Sequence, residues 1–363
     1  MAQVSIESLE VRTYRVPTER PESDGTLEWD HTDLVLVRVE AGGKQGVGWS
    51  YASRAAAAFI DGPLRTAVLG RSLFDLRGAW ASMVHTLRNA GVPGAGMMAV
   101  SAVDVALWDL QARFLERSLA DLFGGGREGV PLYGSGGFTS YDERHLCEQL
   151  AGWATEGLRS VKMKVGRDPA ADAERVARAR EAIGTGLALF VDANGAYSGK
   201  QALEMARRFA EQGVSWFEEP RPSSDLQGLR LLRERCPEGM EIAAGEYGDT
   251  LPYFLRLLQA GAVDCLQADL TRCGGYTGLL GVAALCEAFE VPLSAHCAPQ
   301  LHAHIAGALA PLRHVEYFYD HVRITSLLFD GALRPRAGQL CPDRGRPGHG
   351  MVFKSADAAR YLC

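Results

Sequence analysis

Seven short apolar runs in the second half of the chain each close on an ionisable residue: Lys164, Asp192, Glu218, Glu246, Asp269, His296 and Glu316. They recur every ~20–28 residues, room for one strand and one helix, which is the repeat of a parallel β/α barrel. All strands of such a barrel point their C-terminal ends at one mouth, so charges scattered along the sequence would meet in space. The strands read from this pattern are Pro131–Gly134, Ser160–Val165, Ala188–Asp192, Ser215–Glu218, Glu241–Gly245, Val263–Gln267, Pro292–Ala295 and His314–Glu316. Helical stretches such as Ala170–Ala182, Lys200–Gln212 and Tyr276–Phe289 separate them. A doubly wound sheet is the competing architecture. It needs fewer strands and usually a glycine-rich phosphate turn after the first one, which Tyr133-Gly134-Ser135-Gly136-Gly137 imitates only loosely.

The region before the repeat reads differently. Val4, Ile6, Leu9, Val11, Tyr14 and Val16 alternate with polar residues, a strand and not a basic-then-apolar leader. Leu34–Glu40 is a second strand-like run, and the polar, Pro-bearing segment Thr18–His31 between them reads as a mobile loop. Apolar residues recur at helical spacing over Met97–Phe114, and Gly124-Gly125-Gly126 then breaks the chain. The expected division is residues 1–125, an α+β domain; 126–318, the barrel; and 319–363, a tail wrapping back on the first domain. Trp49, Tyr51 and Trp108 read as core or lid aromatics.

A net charge of −6 leaves no basic stripe for nucleic acid. No apolar run reaches the ~18 residues of a membrane span. The eight cysteines form no C-x-x-C pair, which argues for reduced thiols in a cytoplasmic protein and against structural zinc.

Asp192, Glu218 and Glu246 end three consecutive strands, which lie ~4.8 Å apart in a barrel. Any one of these acids could cap the helix that follows it. Three in succession repel one another and favour a divalent cation with hard oxygen ligands, Mg²⁺ by default. Lys162 and Lys164 share one face of a strand. Either they reach to the rim, or the charge of one lowers the pKa of the other and makes Lys164 a base. His296 ends the seventh strand beside Asp269, an acid placed to fix its tautomer and raise its basicity. Glu316, if protonated, would be a buried hydrogen-bond donor. Glu219 should point away from Glu218, and His302 and His304, at i and i+2, read as structural or rim residues.

Taken in order, these motifs resemble the enolase superfamily and, within it, the mandelate racemase-like subgroup. The carriers are Val103-Asp-Val-Ala-Leu-Trp-Asp109, Leu122-Phe-Gly-Gly125, Lys162-x-Lys164, Val191-Asp-Ala-Asn-Gly195, Trp216-Phe-Glu-Glu-Pro220 and Gly245-Glu246. Asp269 with Gly274-Gly275, Ser294-Ala-His296 and Val315-Glu316 complete the set. The resemblance implies an α+β capping domain over a modified (β/α)₇β barrel, with Mg²⁺ on Asp192, Glu218 and Glu246 holding a substrate carboxylate. Lys164 would be the base on one face, and His296–Asp269 the acid/base on the other. Lys162, Glu316 and Asn194 would contact the substrate. A lysine replaces Asp269 in muconate-cycloisomerase-like members, and enolases proper lack the His–Asp pair.

The expected reaction is abstraction of the proton α to a carboxylate through an enediolate, followed by loss of water from an acid sugar. A racemase or epimerase of a 2-hydroxy acid needs the same groups, and a non-catalytic binding barrel is the remaining alternative. Thr18–His31, with Arg20, Trp29 and His31, is expected to read the far end of the substrate. The family habit is to form homo-oligomers.

Overall fold

The computed structural model describes residues 4–363; Met1–Gln3, the start of the expected first domain, lie outside the described residues. Three antiparallel strands open the chain: β1 (Ser8–Ser23), β2 (Glu28–Ala41) and β3 (Lys44–Ser50). Strand alternation gives β2 two buried faces. Leu34 and Leu36 join the core shared with the barrel, whereas Val35, Val37 and Val39 face the helices of the N-terminal domain.

Thr18–His31 is not a mobile loop. The ladder continues through Pro17 opposite His31 to Glu22 opposite Trp29 and Ser23 opposite Glu28, with a register shift between Pro17 and Glu22. Pro17 and Pro21, which cannot donate to a ladder, flank this irregularity. At the tip, Asp24 Oδ1 accepts from the backbone of Thr26 (2.6 Å) and Leu27 (2.7 Å). The polar composition that suggested mobility therefore serves a closed turn.

The tip is also pinned from outside. The Thr139 amide donates to the Ser23 carbonyl (2.8 Å), and the Thr139 hydroxyl donates to the Asp24 carbonyl (2.7 Å). Gly25 is seated so closely that a Cβ there would lie 2.5 Å from the Ala193 carbonyl oxygen and 2.7 Å from that of Val165. Gly25→Ala is expected to lower stability by about 1–3 kcal/mol and to expose the hairpin to proteolysis. An unchanged urea midpoint and cleavage rate would show that the tip is not seated there.

Eight parallel strands then close a barrel: β4 (Val130–Gly136), β5 (Ser160–Lys164), β6 (Ala188–Asp192), β7 (Val214–Glu218), β8 (Glu241–Ala244), β9 (Cys265–Ala268), β10 (Leu293–Ala295) and β11 (Leu312–Phe318). Closure comes from β11 pairing with β4, Val315 opposite Leu132 through Phe318 opposite Ser135. The doubly wound alternative is thereby excluded. Strand β9 starts two residues later and ends one residue later than the reading Val263–Gln267, and leaves Asp269 just beyond its end. Phe190 and Trp216 lie two residues before Asp192 and Glu218, on the same face, and stack at 5.3 Å. With Tyr133, Ala243 and Cys265 they form an apolar layer beneath the charged groups.

The helix Ala95–Phe114 joins the two parts. Asp104 accepts from the Thr277 hydroxyl (2.6 Å), and Trp108 Nε1 donates to that hydroxyl (3.0 Å). The C-terminal segment returns to the first sheet: the Phe353 ring lies 5.2 Å from that of Tyr14, and the Cys363 amide donates to the Thr13 carbonyl. No helix of the described residues is long and apolar enough to cross a membrane.

Candidate active site

Strand register sets the first three charges side by side: Lys164 pairs with Asp192, and Asp192 with Glu218. Glu246 follows β8 through Gly245, whose φ of +132° and 2.3 Å clearance from the Gln267 carbonyl leave no room for a Cβ. That turn brings Glu246 beside the other two acids. Oxygens of Asp192, Glu218 and Glu246 lie within 4.8 Å of one another, and all three side chains are buried.

Lys162 is fully buried under this group, 2.5 Å from Glu218 and 2.8 Å from Glu316. Glu316 is therefore not a protonated donor. Burial alone would raise its pKa, but Lys162 and His296 hold it well below the usual range. It accepts from the Ser135 hydroxyl (2.5 Å) and the Cys297 amide (2.9 Å). Neither Lys162 nor Glu316 lines the cavity above.

Lys164 Nζ donates to Asp192 (2.5 Å) and to the Asn194 side-chain oxygen (3.1 Å). Lys162 does not make it more acidic overall. Burial and the neighbouring lysine both disfavour its charge, yet Asp192 together with Glu246 and Glu218 raises its pKa.

His296 Nδ1 lies 2.9 Å from Asp269 Oδ2, while the other Asp269 oxygen accepts from the Thr271 amide and hydroxyl, each at 2.7 Å. Nε2 of His296 is 3.0 Å from Glu246 and 3.3 Å from Cys297 Sγ. Burial disfavours the imidazolium, but the surrounding acidic groups raise its pKa well above the ordinary value. Asp269 is held low by the same imidazolium against the effect of burial.

Several members of the site were not found by sequence reasoning. Glu219 does not turn away, because a φ of +38° ends strand alternation there and leaves it buried near the cluster. Burial and the carboxylates of Glu246 and Asp192 push its pKa up. Arg272 donates to the Glu246 carbonyl (3.1 Å) and approaches Asp269 (3.8 Å). His302 is structural: Nε2 accepts from the Leu270 amide and Nδ1 lies 3.0 Å from the Cys297 carbonyl, tying the Asp269 and His296 loops together. No local motif marks Arg272 or Cys297, whose contacts with Glu246 and Glu316 come from other strands.

The charges do not balance. Asp192, Glu218, Glu219, Glu246, Asp269 and Glu316 face Lys162, Lys164, Arg272 and protonated His296. The acids outnumber the cations, and burial beside other carboxylates already raises the pKa of Glu219 as it does that of Glu218. Burial first and then Asp192 push Glu218 up to about 8 even with Lys162 beside it. The hard oxygen donors Asp192, Glu218 and Glu246 thus fit a divalent cation.

Above them lies a cavity of about 410 Å³. The barrel contributes Lys164, Asn194, Glu246 and His296 to its lining, and the N-terminal sheet contributes Asp24, Trp29, His31 and Tyr51. Arg20 does not line it. Trp49 is core, whereas Tyr51 stacks on His321 with ring centres 3.4 Å apart. A larger cavity, about 770 Å³, lies at the opposite end of the barrel around Arg127, Pro292 and Leu312, and holds none of these charged groups.

Residues 8–124 match the family described as mandelate racemase / muconate lactonizing enzyme, N-terminal domain, and residues 145–358 match enolase C-terminal domain-like. The chain belongs to the mandelate racemase/muconate lactonizing enzyme family of the enolase superfamily. Its fold is nearly superimposable on a family-like protein from Rubrobacter xylanophilus, with TM-score 0.97, 52% identity, and 99% and 100% of the two chains covered. The 3,6-anhydro-alpha-L-galactonate cycloisomerase of Streptomyces coelicolor is 34% identical over 96% of this chain and 97% of its own. An L-talarate dehydratase from Polaromonas sp. JS666, solved with Mg and L-glucarate, has TM-score 0.89 and 29% identity over 99% of this chain and 98% of its own. The curated relatives are lyases and isomerases, which makes this family member an enzyme of those classes.

Proposed function

We propose that this enzyme removes the proton α to the carboxylate of an acid sugar and expels the β-hydroxyl as water, yielding a 2-keto-3-deoxy acid. The observation that carries the reading is the placement of Lys164 and the His296–Asp269 pair on either side of three clustered carboxylates, beneath one cavity.

Asp192, Glu218 and Glu246 would hold Mg²⁺, which supplies positive charge where negative charge develops on the substrate carboxylate. Asp192, which holds the proton on Lys164, would hold it less strongly as a ligand of that ion. Neutral Lys164 takes the α-proton. Protonated His296, oriented by Asp269, gives its proton to the departing β-hydroxyl. The enol product tautomerises to the keto acid, and the two proton transfers leave the protein with no net change of charge. Asn194 positions Lys164 Nζ. Lys162 and Glu316 set the charge beneath the site, and the β1–β2 hairpin forms one wall of the cavity.

A second reading has its own support in the cycloisomerase relative, which matches along nearly the whole chain. It begins with the same proton abstraction, but a ring oxygen leaves in place of hydroxide.

The test is a library of acid sugars and anhydro acids incubated with the Mg²⁺-loaded enzyme in deuterated water. Formation of a 2-keto-3-deoxy acid with one deuterium at C3 is expected. Ring opening of an anhydro acid alone would favour the second reading. Racemisation without keto product would replace both with a racemase.

A further inference from the structure

Selectivity within this reading depends on what the far end of the substrate meets. The cationic groups around the cavity sit at the reacting end and each faces a carboxylate: Lys164 faces Asp192 (2.5 Å), His296 faces Asp269 (2.9 Å), and Arg272 faces Glu246 and Asp269 (each 3.8 Å). The wall supplied by the N-terminal sheet offers different chemistry. His31 is paired with Asp30 at 2.6 Å. His321 is kept neutral because burial pushes its pKa down to about 3, and its Nδ1 accepts from the Ala298 amide. Asp24 lines the same cavity and is 6% exposed, with no cationic partner among the described residues. The pinned hairpin tip cannot carry this carboxylate away.

We infer that the substrate is a monocarboxylate with an uncharged hydroxylated far end, and that Asp24 on the hairpin excludes diacids. This rests on the α-proton chemistry proposed above. A second carboxylate would be desolvated beside a fixed like charge, with no unpaired cation to meet it. An aldonate hydroxyl or a ring oxygen meets Trp29, Tyr51 and the hydroxyls of this wall at no such cost.

The experiment compares aldonates with aldarates in matched galacto, gluco, manno and talo configurations on the Mg²⁺-loaded enzyme. It reads α-deuterium exchange, kcat/KM, and binding by calorimetry. Monoacids are expected to be preferred by about 100-fold, the scale of a desolvated like-charge contact. Asp24→Asn retains a side-chain acceptor for the turn and is expected to narrow the gap at least about tenfold through the KM of the diacid. A diacid handled as well as its monoacid partner, or an unchanged ratio in Asp24→Asn, overturns the inference and leaves the α-proton chemistry standing. Exchange with no acid overturns the chemistry itself, while calorimetry still tests the charge preference.

Discussion

Lys164→Ala and His296→Asn are each expected to lower kcat by about 10²–10⁴-fold, the usual contribution of a positioned acid or base, and to fail in different ways. With Lys164 as the base, Lys164→Ala loses both keto-acid formation and exchange of the α-proton with deuterated water. His296→Asn, which lacks only the acid for the leaving hydroxyl, keeps the exchange and loses the product. Single-turnover incubations followed by proton NMR separate the two. A racemase gives another pattern, each variant exchanging one enantiomer only. Should both variants exchange and form product at the parent rate, the site lies elsewhere. The contrast follows from Lys164 and His296 belonging to β5 and the loop after β10, with the carboxylate-bearing strands β6 to β8 between them.

The second large effect is on stability. Lys162 is completely buried and ion-paired to Glu218 and Glu316, with Asp192 at 3.5 Å. Lys162→Met keeps much of the volume and strands those carboxylates without their cation, so stability is expected to fall by about 3–5 kcal/mol. Urea unfolding measures it as a lower midpoint at unchanged slope. Added Mg²⁺ is expected to recover part of the loss, since an ion on Asp192, Glu218 and Glu246 offsets the same negative charge. Full stability without the lysine would mean that the carboxylates are not ionised as arranged here. Recovery by Mg²⁺ that survives Glu246→Gln would place the ion elsewhere.

Much of this site is legible in the sequence because a barrel strand converts sequence position into spatial position almost directly. An acid at the C-terminal end of a parallel strand must reach the mouth, so Asp192, Glu218 and Asp269 could be placed by counting. Lys162 and Lys164 share a face for the same reason. Reading failed where the chain left that regular geometry. Glu219 turned inward at a positive φ, and the Thr18–His31 segment proved to be a paired hairpin whose polar residues serve its turn and its contacts with Thr139.

Charge states were legible least of all. Two lysines on one strand suggest mutual acidification, but Asp192 and Glu218 on the neighbouring strands decide the matter. Glu316 reads as a candidate donor in isolation and is an ionised acceptor beside Lys162. The sequence by itself determined the repeat, the barrel and the residues that reach its mouth, because these depend on period and strand direction. The tertiary structure alone decided which groups are charged, which wall the hairpin presents and which end of the pocket lacks a cation. Electrostatic energy depends on distances and burial across strands, and neither is written in sequence spacing.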